Sequence, residues 1–261
     1  MVSAIFPAAG QGKRMHLGLN KAFLELAGQP MLVRTLKRFS EVEEVGELIV
    51  VVGADEIIDT RRLLASTSGL KPYKVVEGGS ERQYSVYNGL QCVAEAADIV
   101  LVHDAARPFV SAQTIKDVIA MARSCGGAVA AVPAKSTIKI VGADGRVEST
   151  PDRRKLWEIQ TPQGFRRDVL VRANERAAAD GFLGTDDASI VEHDGGEVRV
   201  VQSDYSNIKV TTPEDIIVAE AFLRQQQPLS DMVHQAAERT RAGLTEAWQK
   251  LKDSTRQEGQ K

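Results

Sequence analysis

The recurrence of short, wholly apolar runs between helix-like segments constrains the fold most. Leu48-Ile49-Val50-Val51-Val52 and Ile99-Val100-Leu101-Val102 carry no polar residue at either parity. That is the pattern of strands buried on both faces of a parallel sheet, not of half-exposed antiparallel ones. Residues 2–7, 74–76, 128–132 and 198–202 read as further strands. Helical spacing is expected over 31–39, where Pro30 suits a helix start, and over 55–65, 81–96, 112–124, 166–180, 186–193 and 213–227. Repeated alternation with short connections predicts an α/β protein with a doubly wound, mainly parallel sheet. In such sheets ligands bind beyond the carboxyl ends of the strands.

Two stretches break the alternation. Residues 136–141 and 146–150 flank Gly142-Ala143-Asp144-Gly145, and Asp-Gly between strand-like runs signals a hairpin. Charge on both of its strands argues against a core position, so a projecting β-arm is expected at about 133–157. Pro228 ends the globular pattern, giving a domain over 1–228 and an extension over 229–261. In the extension Val233, Ala237, Leu244, Trp248 and Leu251 fit one helical stripe, which reads as a helical or partly frayed tail.

A length of 261 residues, 43% of them hydrophobic, suffices for one substantial domain plus an appendage. The formal net charge of −2 gives no electrostatic footprint for nucleic acid or anionic lipid, so basic chemistry must be local. Cys92 and Cys125 form no CxxC and are expected to be reduced, buried thiols. The first residues enter an apolar strand without a charged leader, and no long apolar segment occurs. A cytoplasmic protein without membrane partners is therefore expected.

Chemistry-bearing residues cluster after the strands. Ala8-Ala9-Gly10-Gln11-Gly12-Lys13-Arg14-Met15 follows the first strand, and its small residues allow backbone N–H groups to turn toward a polyphosphate. A dinucleotide fingerprint would need a third glycine where Met15 stands, and a Walker A loop would need Gly-Lys-Ser/Thr. What remains is a triphosphate loop with its own cations, or a solvated tight turn. Gly78-Gly79-Ser80-Glu81-Arg82-Gln83 offers close backbone approach and, at Ser80, a possible helix cap. His103-Asp104-Ala105-Ala106-Arg107-Pro108 follows a buried strand. There Asp104 could approach Mg²⁺, which takes few protein oxygens plus phosphates and waters, or it could cap the turn and pair with Arg107. His103 reads as a packing or hydrogen-bonding residue. Lys209 lies between apolar residues ahead of the last helix, with Thr212 as the expected cap.

Taken with DRRKLW (152–157), QTPQGF (160–165), TDDAS (185–189) and NIKVTTPED (207–215), these clusters make the sequence resemble the 2-C-methyl-D-erythritol 4-phosphate cytidylyltransferases over residues 2–227. The resemblance implies a Rossmann-like nucleotidyltransferase fold and transfer of CMP from CTP to the polyol phosphate. It implies Mg²⁺ as cofactor and homodimers whose β-arms embrace. By the same likeness Arg14 and Lys21 are catalytic and stabilise charge at the α-phosphate. Ala8, Ala9, Gly10, Gly12, Gly79, Ser80, Ser85 and Asp104 bind the nucleotide, and Asp104 lies near the metal. Asp104, Arg107, Thr137, Arg153, Thr185 and Lys209 hold the polyol phosphate, with Thr137 and Arg153 serving the neighbouring subunit. Where the family usually has Pro-Lys-Gln, this chain has Asn20-Lys21-Ala22.

The chemistry is coherent without the likeness. In-line attack of a phosphate on the α-phosphorus needs no covalent intermediate, only positioning and charge neutralisation. The alternatives are a ribitol-5-phosphate cytidylyltransferase, a sugar-1-phosphate nucleotidyltransferase, and a nucleotide-binding regulatory module without turnover. Cations expected at both ends of the reacting phosphate argue against the last.

Overall fold

The computed structural model describes residues 1–10 and 20–225. The expected Arg14 and Gly12 contributions and the 229–261 extension lie outside these residues. The chain divides into two compact units, Met1–Ile216 and Ile217–Lys261.

The first unit is built on a seven-stranded sheet. Its strands are β1 (Val2–Pro7), β4 (Val45–Val52), β5 (Tyr73–Glu77), β6 (Ile99–Val102), β7 (Gly127–Pro133), β10 (Trp157–Arg166) and β11 (Arg199–Gln202). Their order across the sheet is β11-β7-β10-β6-β1-β4-β5. All neighbouring pairs are parallel except those made by β10, which runs antiparallel to both β6 and β7. The order reverses between β1, which continues to β4 and β5, and β6, which leads the other way. This is the topological switch point where a doubly wound sheet opens a crevice.

The apolar runs do what their composition requires. Along β4, Leu48, Val50 and Val52 join one core with Leu32, Leu36 and Phe39 of α1 (Met31–Ser40) and Ile115, Val118 and Ile119 of α4 (Ala112–Cys125). Ile49 and Val51 join the opposite core with Val86 and Leu90 of α3 (Arg82–Leu90), Leu170 and Ala173 of α5 (Arg167–Asp180), and Ile190 of α6 (Asp187–His193). Both faces of one strand are therefore dry, which this contiguous apolar run satisfies without polar partners. Two short elements precede α1: β2 (Glu25–Leu26) and β3 (Gln29–Pro30) pair across Ala27 and Gly28, both at positive φ.

Several expectations are corrected. The helix expected over 81–96 is α3, which stops at Leu90. Beyond it the Ala94 amide is drawn 2.7 Å from the buried Glu47 carboxylate, and the Cys92 and Val93 amides make tight turns to Gly89 and Leu90. The helix expected from residue 55 opens as a 3-10 turn, and α2 spans Ile57–Ala65. Strand β10 carries no apolar run. Its polar residues are stabilised by distant partners: Gln163 donates to Asp186 Oδ2 at 2.7 Å and accepts from the Ala188 amide at 2.9 Å. Cys92 and Cys125 are free thiols, as expected, but half-buried.

The arm forms as expected. β8 (Ile140–Val141) and β9 (Val147–Ser149) pair antiparallel as a separate ribbon, with Gly145 at φ +81° in the turn. Ile138, Ile140, Val141 and Val147 on it are exposed. The last helix, α7, spans Pro213–Gln225. Around its entry, with Thr212 just ahead of Pro213, the Asp215 carboxylate accepts from the Thr211 and Thr212 amides. Among the described residues no helix is long and apolar enough to cross a membrane.

Candidate active site

At the switch point one cavity is lined by Ala8, Ala9 and Gly10 beyond β1, Gly79, Ser80, Glu81, Arg82 and Ser85 beyond β5, Asp104 beyond β6, and Lys209, with Asn20 and Ala22 at its side. A wider hollow lies at the opposite end of β6, where Arg123 is paired with Asp98 and Arg166 donates to the carbonyl of Arg123. Arg123 and Arg166 there are engaged within the protein, and the switch-point cavity gathers groups from five separate stretches of chain.

The double glycine is there for close approach. A Cβ at Gly78 would lie 2.6 Å from that of Ala9, and one at Gly79 would lie 2.5 Å from that of Tyr84. The loops after β1 and β5 can therefore meet only if residue 78 lacks a side chain, and the turn into α3 can close only if residue 79 does. Ser85 pins this corner: its hydroxyl accepts from the Gly79 amide at 3.1 Å and donates to the Glu81 carbonyl at 3.0 Å. The residue ahead of α3 is Glu81 and caps with no side-chain bond, so Ser80 is not the helix cap.

Asp104 is the electrostatic centre. Lys209 Nζ lies 2.7 Å from its Oδ2, Arg82 Nε 3.5 Å from its Oδ1, and Arg107 Nε 3.7 Å from its Oδ2. Burial alone would raise this carboxyl, but the Lys209, Arg82 and Arg107 charges outweigh it and hold the group well below the usual carboxylate range. Arg82 is shared with Asp187, 2.8 Å away and fully buried. There burial wins over Arg82 and raises the carboxyl. Arg107 NH1 is tied to the Asn207 carbonyl at 2.8 Å.

His103 organises the loop that carries Asp104. Its Nε2 sits 3.0 Å from the Arg107 carbonyl, an acceptor only, so the ring proton is on Nε2. Nδ1 then accepts from the Thr161 hydroxyl at 3.1 Å, and that hydroxyl accepts from the Asp104 amide at 3.0 Å. Burial lowers the His103 pKa to about 4, so the ring is neutral. Asn207 completes the frame, donating to Gln160 Oε1 at 2.8 Å and to the Thr161 carbonyl at 2.9 Å.

The expected residues thus divide. Ala8, Ala9, Gly10, Gly79, Ser80, Ser85, Asp104 and Lys209 are brought to one cavity, with Arg107 beside Asp104. Lys21 opens a 3-10 turn, Lys21–Phe23, at the cavity's edge. Thr137, Arg153 and Thr185 are exposed and do not line this cavity. Among the described residues Arg153 donates to the Lys135 carbonyl at the base of the arm, at 2.9 Å. Arg82, Thr161, Asp187 and Asn207 were missed as site residues. Arg82 stood within a motif already singled out, but its partners are about 20 and 100 residues away, and no local signal reveals them.

A carboxylate that is anionic, reaches a cavity wall and has only a 3.5 Å contact on Oδ1 suits a metal that takes one protein oxygen. Among the described residues no group of three metal-ligating side chains occurs, so any bound Mg²⁺ would depend on phosphates and waters for the rest of its shell.

The family model for 2-C-methyl-D-erythritol 4-phosphate cytidylyltransferase matches residues 2–225. The protein of that name from Caldanaerobacter subterraneus subsp. tengcongensis is 47% identical over 225 residues, 86% of this chain and 99% of the relative. That from Bacillus pumilus is 50% identical over 220 residues, 84% and 95%. Among solved structures, 4-diphosphocytidyl-2C-methyl-D-erythritol synthase from Anaerococcus prevotii superposes with a TM-score of 0.76 at 34% identity, covering 86% of this chain and 98% of that one. The Thermus thermophilus cytidylyltransferase gives 0.71 at 32%, covering 85% and 98%. With almost the whole first unit and the full length of its relatives in register, the chain belongs to the 2-C-methyl-D-erythritol 4-phosphate cytidylyltransferase family.

Proposed function

We propose that this chain transfers CMP from CTP to 2-C-methyl-D-erythritol 4-phosphate with release of pyrophosphate. The observation that carries the reading is the switch-point cavity. Its lining combines the backbone of residues 8–10, the corner at Gly79 and Ser80, and the Asp104–Lys209 pair. The first can receive phosphates, the second a planar base, and the third the incoming polyol phosphate. The substrate phosphate oxygen attacks the α-phosphorus, the bond to the bridging oxygen breaks, and pyrophosphate carries off the charge. Arg14 and Lys21 are assigned to that developing charge. Asp104 would hold Mg²⁺, directly or through water, and the ion would supply neutralisation of the triphosphate charge.

Thr137, Arg153 and Thr185 are assigned to the polyol phosphate. The exposed apolar side chains of the arm support pairing of two copies, which would bring Thr137 and Arg153 to the partner's cavity. A cytoplasmic homodimer without nucleic-acid or membrane partners is the assembly proposed. Pyrophosphate release in Mg²⁺, with each nucleoside triphosphate against methylerythritol 4-phosphate and ribitol 5-phosphate, tests the reading. CTP with methylerythritol 4-phosphate should be the fastest pair, and a preference for ribitol 5-phosphate or no release would overturn it.

A further inference from the structure

Ala8, just beyond β1, and Asn20, just ahead of the Lys21–Phe23 turn, are fastened together by a single side chain. Asn20 Nδ2 donates to the Ala8 carbonyl at 2.5 Å and to Glu56 Oε2 at 2.9 Å, which uses both of its protons. Glu56 Oε2 also accepts from the Gly53 amide at 3.0 Å, at the end of β4. Ala8 is itself tied to that strand, its amide donating to the Val51 carbonyl at 2.7 Å. On its other side Asn20 Oδ1 accepts from the Ala22 amide at 3.0 Å, and its carbonyl accepts from the Phe23 amide at 3.1 Å. The 3-10 turn that begins with Lys21 therefore starts from a side chain locked to two neighbouring strand ends. Ala22, next in line, is buried in the core.

This is the position where the family usually has proline. Proline holds a chain by fixing φ; here a saturated amide does so through hydrogen bonds. We infer that Asn20 is a positioning residue for the transfer reaction, clasping the exit of the nucleotide segment to Ala8 and Glu56 so that Lys21 starts from a fixed point beside the phosphate-binding backbone. The inference rests on the assignment of Lys21 as a catalytic cation. Asn20 itself touches no reacting atom. Its contribution is geometry, and misplacement by about 1 Å can cost on the order of 100-fold in rate.

The test is a cycle of Asn20→Ala, Lys21→Ala and the double variant, read in pyrophosphate release and in amide hydrogen exchange. Asn20→Ala should lower kcat roughly 10- to 100-fold while KM for CTP stays within about threefold, and the same substitution made on Lys21→Ala should cost less than about twofold more. Exchange at the Ala22 and Phe23 amides should rise at least about tenfold in Asn20→Ala, with β1 and β4 as protected as before. Asn20→Asp, which keeps the acceptor for Ala22 but sets a second carboxylate against Glu56, should lose kcat as well. A kcat for Asn20→Ala within about twofold of the parent protein's, full additivity with Lys21→Ala, or a loss of activity matched by loss of protection throughout the sheet would overturn the inference. If the unsubstituted protein releases no pyrophosphate, the functional reading fails by itself. The exchange experiment then decides the clasp: unchanged exchange at Ala22 and Phe23 would refute it.

Discussion

Neutral His103 makes the fold pH-sensitive in a calculable way. The ring is fully buried, and burial lowers its pKa from 6.5 to about 4 against the smaller, opposing effects of the Arg107 carbonyl and Asp104. Between these values the unfolded chain binds a proton at this imidazole that the folded chain refuses, so stability must fall with falling pH across that window. The contribution is fully present above about pH 6.5 and is lost toward pH 4. At about 1.4 kcal/mol per unit the whole displacement is worth about 3 kcal/mol, of which about 2 kcal/mol should disappear between pH 7 and pH 5. Carboxylates held low, Asp104 foremost, lose their contribution only as pH falls below about 4, outside this interval. The measurement is urea unfolding of the parent protein and of His103→Gln at pH 7, 6 and 5 in metal-free buffer. Any packing cost of the substitution is the same at each pH, so the difference between the two proteins should narrow by about 2 kcal/mol on acidification. A difference constant to within about 0.5 kcal/mol would refute the neutral, buried imidazole and the relay through Thr161 built on it.

Asp104→Asn leaves Lys209, Arg82 and Arg107 without their common counter-charge. Since Arg82 keeps Asp187 and Lys209 is partly exposed, the loss in unfolding free energy should be about 2–3 kcal/mol, below the usual cost of breaking a buried pair, with kcat down on the order of 100-fold. Wild-type stability by urea titration would contradict the ion-pair cluster. Lys209→Ala should raise KM for the polyol phosphate at least about tenfold while moving KM for CTP less than about threefold, and an equal effect on both would remove Lys209 from the polyol side. Gly89→Ala would set a methyl 2.8 Å from Ile5 Cγ2 and 3.0 Å from Val51 Cγ2. It should destabilise the protein by about 1–2 kcal/mol despite alanine's better helix propensity, and an unchanged or higher urea midpoint would show that the interface between α3 and the sheet can yield.

What the sequence revealed and what it hid follow the range of the interactions. β4 and β6 were legible because 48–52 and 99–102 are apolar at every position, as a run dry on both faces without polar partners must be. The crevice was legible because the loops after β1, β5 and β6 carry small or charged residues where the parallel sheet ends. β10 was not: Gln160, Thr161 and Gln163 occupy a strand interior only because Asn207, His103 and Asp186 wait for them across the fold. A polar side chain without its partner in view reads as loop. α3 ended early for a similar reason, since Glu47 on another strand claims the Ala94 amide. Asn20 is the sharpest instance. In the sequence it is only a departure from the family's usual proline, and its bonds to Ala8 and Glu56 are what show it to be an anchor.

The same logic explains how a chain of net charge −2 can hold a site for two polyanions. Bare clustering of Arg82, Arg107 and Lys209 would be costly before any ligand arrived, and Asp104 offsets it. The offset is not shared evenly. Arg82 has a second hold on Asp187, and Arg107 has one on the Asn207 carbonyl, so both stay fixed when phosphate enters. Lys209 has Asp104 as its one described ion-pair partner and keeps 35% of its side chain exposed. Of the three it can swing from carboxylate to phosphate with the least loss. On the proposed assignments the exchange would leave Asp104 still faced by Arg82 and Arg107, which would keep it ionised beside a metal-bound triphosphate. On those assignments, two doubly held arginines would let one lysine and one carboxylate take up their ligands separately.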